Sequence, residues 1–215
     1  MSGFLPPNFL IVCGFLLAKP TMFNTVLWQW INQSYMAGLN YANRNPASKF
    51  TNQDLAMGYA AAVGSSLTVA ISLRMLTSGM IKGASGSKLL VLNTIVSAFA
   101  ASSAGFCNTT FMRRAEVSTG IDVYTSPNLS SESKIGVSAD CASRAVLETA
   151  ISRVSLASVT ICLPTVGILL LNRSAVIKRT LLRSPKLKLG TDFACVVASL
   201  AFGLPLAIGI FPPVS

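Results

Sequence analysis

The sequence predicts an all-α membrane protein, a bundle of about five transmembrane helices whose first span is broken or kinked near Pro20. Three observations predict it. Of 215 residues, 52% are hydrophobic and only 11% charged, where a soluble domain carries about 25% charged residues. The apolar residues gather in runs of about 20, the length that crosses a hydrocarbon core. The charges fall between these runs. A net charge of +10 would suggest nucleic acid in a soluble protein. Placed between apolar runs, it points to loop topology and anionic lipid instead, and no nucleic-acid partner is expected.

The first span, about 8–31, is interrupted by Lys19-Pro20. It reads either as one kinked span or as two short segments forming a re-entrant pair, and only the kinked span keeps the count of five. The second span is about 54–77, and the third runs from about Lys88 to Phe111. The fourth runs from Ala150 to Leu171 and the fifth from about Thr191 to Phe211. The whole chain, 1–215, reads as one membrane domain with a polar loop at about 112–149. Within that loop Ser126-Pro127-Asn128 reads as a turn. Residues 138–149 read as helix, with Asp140, Arg144 and Glu148 at i, i+4 spacing.

Charge orients the bundle. Call the N-terminal side A. Side A then carries Arg74, Lys82 and Lys88, and after the fourth span Arg173, Lys178, Arg179, Arg183, Lys186 and Lys188, with no acid among them. On side B, basic residues such as Arg44, Arg113 and Arg144 are balanced by acids such as Asp54, Glu116 and Asp140. The positive-inside rule places side A in the cytoplasm-equivalent compartment. No basic n-region precedes the first apolar run, so targeting is expected to be internal.

Several constellations carry chemistry or packing. The second span places Gly58, Ala62, Ser66 and Ala70 four apart, and the third carries Ser97, Ala101 and Gly105. Such stripes let helices approach closely in lipid, or leave room for a channel between them. Trp28-Gln29-Trp30-Ile31-Asn32-Gln33-Ser34 joins an interfacial tryptophan pair to amides too polar for lipid, and Asn40 continues the pattern. It reads either as an interfacial belt or as a solute-contacting surface. Pro20 favours the latter, because broken membrane helices mark transport sites. Pro164 and Pro205 are kinks or hinges. Arg153, near the start of the fourth span, snorkels, pairs with Glu148 or binds an anionic group; Lys19 is similar. Asn108 is a polar residue within a span. The candidate solute contacts are therefore Gln29, Asn32, Gln33, Asn40, Asn108 and Arg153.

No histidine is present, and the five cysteines are widely spaced without a C-x-x-C pair. No metal site is expected, and the cysteines read as small hydrophobes. No nucleophile–base set, carboxylate pair within a span or cofactor fingerprint occurs. No cofactor and no enzyme activity are expected.

Trp28-Gln29-Trp30-Ile31-Asn32-Gln33-Ser34 followed by Asn40-Tyr41-Ala42-Asn43-Arg44 resembles the signature of the sideroflexin family. Cys107-Asn108 with Met112-Arg113, Gly120-Ile121-Asp122-Val123, Leu147-Glu148-Thr149-Ala150 with Arg153, and Ala201-Phe202-Gly203 through Phe211-Pro212 extend the resemblance over nearly all of the chain. Several details are closest to the branch of the fifth human paralogue. A His-Pro-Asp segment usual before the family's first span, and its C-terminal tail, are not among these residues. Gly105 stands where the family has Asn, and Pro213 where it has Gln.

The resemblance implies a five-span, multi-pass protein of the mitochondrial inner membrane, its N-terminus in the matrix and its C-terminus in the intermembrane space. It implies transport of serine or another small neutral amino acid, or, for the branch resembled, citrate. The alternative is a non-catalytic, supernumerary subunit of a larger inner-membrane respiratory complex. Expected partners are the solute, subunits of such a complex, and membrane lipid, with cardiolipin at Arg173, Lys178, Arg179 and Arg183.

Overall fold

A proline lacks the backbone N–H and biases the residue before it away from helix. Lys19-Pro20 accordingly ends α1 (Leu5–Leu17), and α2 (Met22–Ala42) starts just beyond. Thr21 supports the new start: its Oγ1 accepts the Asn24 N–H at 3.1 Å, and Asn24 Nδ2 donates to the Lys19 carbonyl at 2.9 Å. The chain doubles back here. Gly14 lies flush on the Trp28 ring, with no room for a Cβ, and Asn8 lines the same cavity as Asn32 and Gln33. The two helices are therefore an antiparallel hairpin, neither one kinked span nor a re-entrant pair of two short segments, since α2 is full length. Helix α1 starts toward side B, so side A is the side of the Lys19-Pro20 turn and the basic loops and not that of the first described residues.

The computed structural model describes residues 5–42, 51–124 and 134–209; residues 5, 40, 134, 178, 182 and 203–208 are described by their backbone alone. Five helices of 20 or more residues lie within these segments: α2, α3 (Asn52–Ile81), α4 (Ser87–Met112), α6 (Ala139–Arg173) and α8 (Pro185–Gly209). Of these, α3, α4 and α6 are long and apolar enough to cross a membrane by length and composition. Their lengths are 30, 26 and 35 residues. The 21 residues of α2 extend about 31 Å, also a crossing length. The 13 residues of α1 reach only about 20 Å, short of a hydrocarbon core of about 30 Å. With α8, α2 brings the helices of crossing length among the described residues to five, three of which are also apolar enough by composition.

Helix α3 opens on a capping box. Thr51 Oγ1 accepts the Asp54 N–H at 3.2 Å while the Asp54 carboxylate accepts the Thr51 N–H at 3.1 Å, which satisfies donors that a helix start otherwise orphans. Asp54 also lies 3.7 Å from Arg114. The stripe Gly58, Ala62, Ser66, Ala70 is buried along its length and continues one turn further to Arg74. It packs on α4, where Val96 and Ala100 meet Ala70, as close helix approach in lipid requires. The α4 stripe does something else. Ser97, Ala101 and Gly105 face α1, α2 and α6, and the last two line a cavity. Before α4, Gly86 takes φ 56°, a conformation that suits glycine in the loop expected there.

The polar segment after α4 holds more structure than its composition suggests. A short helix α5 (Arg114–Thr119) leads into β1 (Ile121–Tyr124), which pairs antiparallel with β2 (Lys134–Ser138). The predicted turn at 126–131 lies outside the described residues. Ser138 caps α6, accepting the Cys141 N–H at 3.2 Å. The helix expected at 138–149 forms from Ala139 onward, and it runs unbroken into the span and through Pro164. The basic run after α6 is helical where a loop reads from sequence: α7 (Ala175–Arg183) is a short amphipathic helix. Pro185 then occupies the first position of α8, where its missing N–H costs nothing. The last helix thus starts at Pro185, six residues before Thr191.

Contacts order these helices. Thr25, Arg74 and Asn93 meet on side A, Thr94 meets Thr165, Ser102 meets Ser158, and Arg113 meets Thr149 on side B. The core sits around α1, where Ile11, Val12, Phe15 and Leu16 pack with Ala98 and Ala101 of α4, Ile161 of α6 and Val196 and Leu200 of α8. Cys13 and Cys162 pack against it. Cys195 contacts Gly167, whereas Cys141 is exposed.

Candidate functional site

The short α1 packs against α2, α4 and α6 without filling the space between them. A cavity of about 180 Å³ occupies it on the side B half of the bundle. This exceeds the roughly 150 Å³ apolar cavity that admits benzene, so a small metabolite fits. Asn8, Ile11 and Val12 form its floor. These three lie along one flank of α1, within its first two turns.

The walls come from three helical faces. Helix α2 contributes Asn32 and Gln33, and α4 contributes Gly105, Asn108 and Thr109. Helix α6 contributes Thr149, Arg153 and Thr160, a polar stripe at i, i+4 and i+11 of an apolar span. At the rim, Arg113 is committed: it reaches Glu116 at 2.6 Å and Thr149 at 3.0 Å. Arg153 is not. Among the described residues it makes no hydrogen bond or ion pair, to Glu148 or any other residue, and its side chain stays exposed beside the cavity. Gly105 stands against it, with room for a Cβ only 3.4 Å from that of Arg153; an Asn at this position would reach into the cavity. The Asn108 amide oxygen is buried against Gly58 of α3 and lacks a hydrogen-bond partner. It has no surface open to the cavity, which other atoms of Asn108 line.

Four of the six predicted contacts thus converge: Asn32, Gln33, Asn108 and Arg153. Gln29 does not join them. It points one turn toward side A, almost fully buried, where its amide nitrogen lies 3.5 Å from the Ser97 carbonyl and its oxygen is unpartnered. The side chain of Asn40 lies outside the described residues. Lys19 opens onto a different cavity on side A. Asn8, Thr149 and Thr160 were not singled out from sequence. The two threonines were legible as part of the Arg153 stripe; Asn8 was not, because its role depends on α1 doubling back.

Arg74 also changes meaning. Counted as a side A loop charge, it is in fact buried within α3, its Nε donating to Thr25 Oγ1 and its Nη1 to Asn93 Oδ1, both at 3.0 Å. Asn93 Nδ2 in turn reaches the Leu16 and Ala18 carbonyls at 3.4 Å. Those carbonyls are orphans of the α1 C-terminus. The network pins the broken end of α1 to α3 and α4.

Fold and cavity define a helical membrane protein built around a broken-helix hairpin, with a mainly apolar cavity edged by polar side chains beside the short arm. The chain belongs to the sideroflexin family, whose model matches residues 1–215. It is 38% identical to human sideroflexin-5 over 221 residues, covering all of this chain and 61% of that protein. It is 34% identical to Saccharomyces cerevisiae sideroflexin FSF1, covering 99% of this chain and 62% of the relative. Human sideroflexin-1 is 28% identical over 99% of this chain and 61% of its own length. The chain therefore spans about three fifths of the length of these relatives. No solved structure matches it.

Proposed function

We propose that this chain forms the solute pathway of a mitochondrial inner-membrane carrier for a small polar metabolite that bears a carboxylate. Arg153 carries the reading. An arginine on a membrane helix is costly unless it is paired or faces a water-filled cavity, and this one is held unpaired beside a cavity of metabolite size. A solute carboxylate docks on the Arg153 guanidinium in bidentate fashion. Its hydroxyl or amine is read by the amides of Asn32, Gln33 and Asn108. Serine or another neutral amino acid fits this donor set, and citrate is the anionic alternative. The apolar layer around Ile11, Val12 and Phe15 is the barrier, and movement of the half-length α1 opens the path toward side A. The basic excess of the side A loops supports a matrix-facing side A, with the end of α8 toward the intermembrane space. Arg173, Arg179 and Arg183, all exposed at the side A end, are placed for contact with cardiolipin; the side chain of Lys178 lies outside the described residues.

Proteoliposomes that hold the purified chain, preloaded with unlabelled serine or citrate, test this. Exchange of labelled solute is expected, with Arg153→Gln reducing it about tenfold or more, as loss of a charge-assisted bidentate contact would. No exchange of either solute, together with stoichiometric co-migration with a large inner-membrane complex, would sink the carrier reading in favour of a non-catalytic subunit.

A further inference from the structure

A second cavity, of about 560 Å³, opens on side A below the apolar layer. Its residues belong to every element that meets there. The α1–α2 turn supplies Lys19, α6 supplies Arg173, and α8 supplies Lys188 and Asp192. Asp192 is the outlier. It is only 8% exposed, sits one turn before the apolar layer at Val196, and among the described residues makes no hydrogen bond or ion pair. Lys188, one turn earlier on the same helix face, is exposed and does not close onto it within salt-bridge distance. Lys188 is thus a counter-charge at longer range only, and a buried carboxylate with no hydrogen-bond donor and no close counter-ion is unfavourable. A ligand cation in the cavity would supply the close partner.

The remaining surroundings define the rest of that ligand. Lys19, Arg173 and Lys188 are all exposed at the mouth, and together they attract an anion. Leu16, Leu89, Leu169 and Leu181 make the wall apolar, and Leu181 belongs to the amphipathic α7, the type of helix that lies in the membrane interface. A purely anionic headgroup suits the mouth but is repelled by Asp192. A purely cationic one suits Asp192 but is repelled at the mouth. We propose that this cavity binds a zwitterion in which a primary ammonium lies a few bonds from an anionic group. The ammonium is held by Asp192 and the anion by Lys19, Lys188 and Arg173, the arrangement found in an aminophospholipid headgroup. This site is distinct from the Arg153 cavity and does not depend on the carrier reading.

Native mass spectrometry of the delipidated chain, offered equal amounts of phosphatidylethanolamine and phosphatidylglycerol, tests it. Retention of phosphatidylethanolamine about tenfold over phosphatidylglycerol is expected. Asp192→Asn should remove that preference, and Asp192→Glu should keep most of it. Lys188→Gln should weaken both lipids alike. N-acetyl-phosphatidylethanolamine, which lacks the ammonium charge, should bind the unmodified chain no better than phosphatidylglycerol, so the test stands even where Asp192→Asn fails to fold. Phosphoethanolamine separates the sources: displacement of the lipid at millimolar concentration means that a free zwitterion suffices, and no displacement assigns the site to lipid. Equal retention of the charged and N-acetylated lipids, or an unchanged preference in a monodisperse Asp192→Asn protein, would overturn the proposal.

Discussion

Arg74 on α3 and Arg153 on α6 both lie within spanning helices, and their surroundings differ in one respect that separates scaffold from candidate site. Around Arg74 the space is filled. The end of α1 lies beside it, and Thr25 and Asn93 accept its guanidinium protons. Arg153 stands at the wall of a cavity and, among the described residues, makes no hydrogen bond or ion pair. The same kind of side chain is a structural pin in one setting and a candidate ligand contact in the other.

That contrast can be broken experimentally. Arg74→Ala should have the largest effect on stability. It leaves Asn93 and Thr25 buried without their donor and frees the end of α1, a loss of about 3 kcal/mol for a broken buried charged network, read as a lower thermal midpoint in detergent. Gly14→Ala should follow at about 2 kcal/mol, within the range for overpacking, because a Cβ there meets the Trp28 ring and spreads the α1–α2 hairpin. Arg153→Gln should do the opposite of Arg74→Ala. Its thermal midpoint should shift by no more than about 0.5 kcal/mol equivalent, as for positions free of packing partners, while solute exchange falls; a large loss of stability there would erase the distinction. Thr51→Ala should cost about 1 kcal/mol through the lost cap of α3, with exchange unaffected once the protein is folded.

How much of this was legible varied with the range of the interaction. Four of the spans were legible as apolar runs. The run of residues 138–149 into the fourth span was legible from helical spacing alone. The side A charge excess was legible too, though Arg74 turned out to belong to the bundle interior. Missed elements are those whose signal is diluted or non-local. The hairpin of β1 and β2 is short and polar, and α7 reads as a charge run because its apolar face is only a few residues wide. Of the site, the amides after Trp30 and the Arg153 position stood out because polarity inside an apolar run is visible locally. Asn8 and the separate fate of Gln29 were invisible, since both follow from which way α1 folds. Asp192 was invisible for another reason: at the edge of an apolar run it reads as the start of a span, and only the earlier start of α8 carries it into the interior.

The sequence by itself determined that this chain is a helical membrane protein, where most of its helices run, which side is basic and which family it belongs to. Those properties follow from local composition, because crossing lipid demands long apolar runs and leaves charge in the loops. Only the tertiary structure decided that the broken first segment is a hairpin, and hence where the cavity lies. Proline can stop a helix at Lys19-Pro20, but the direction the chain then takes is set by distant partners: Trp28 against Gly14, and Arg74 and Asn93 around the end of α1.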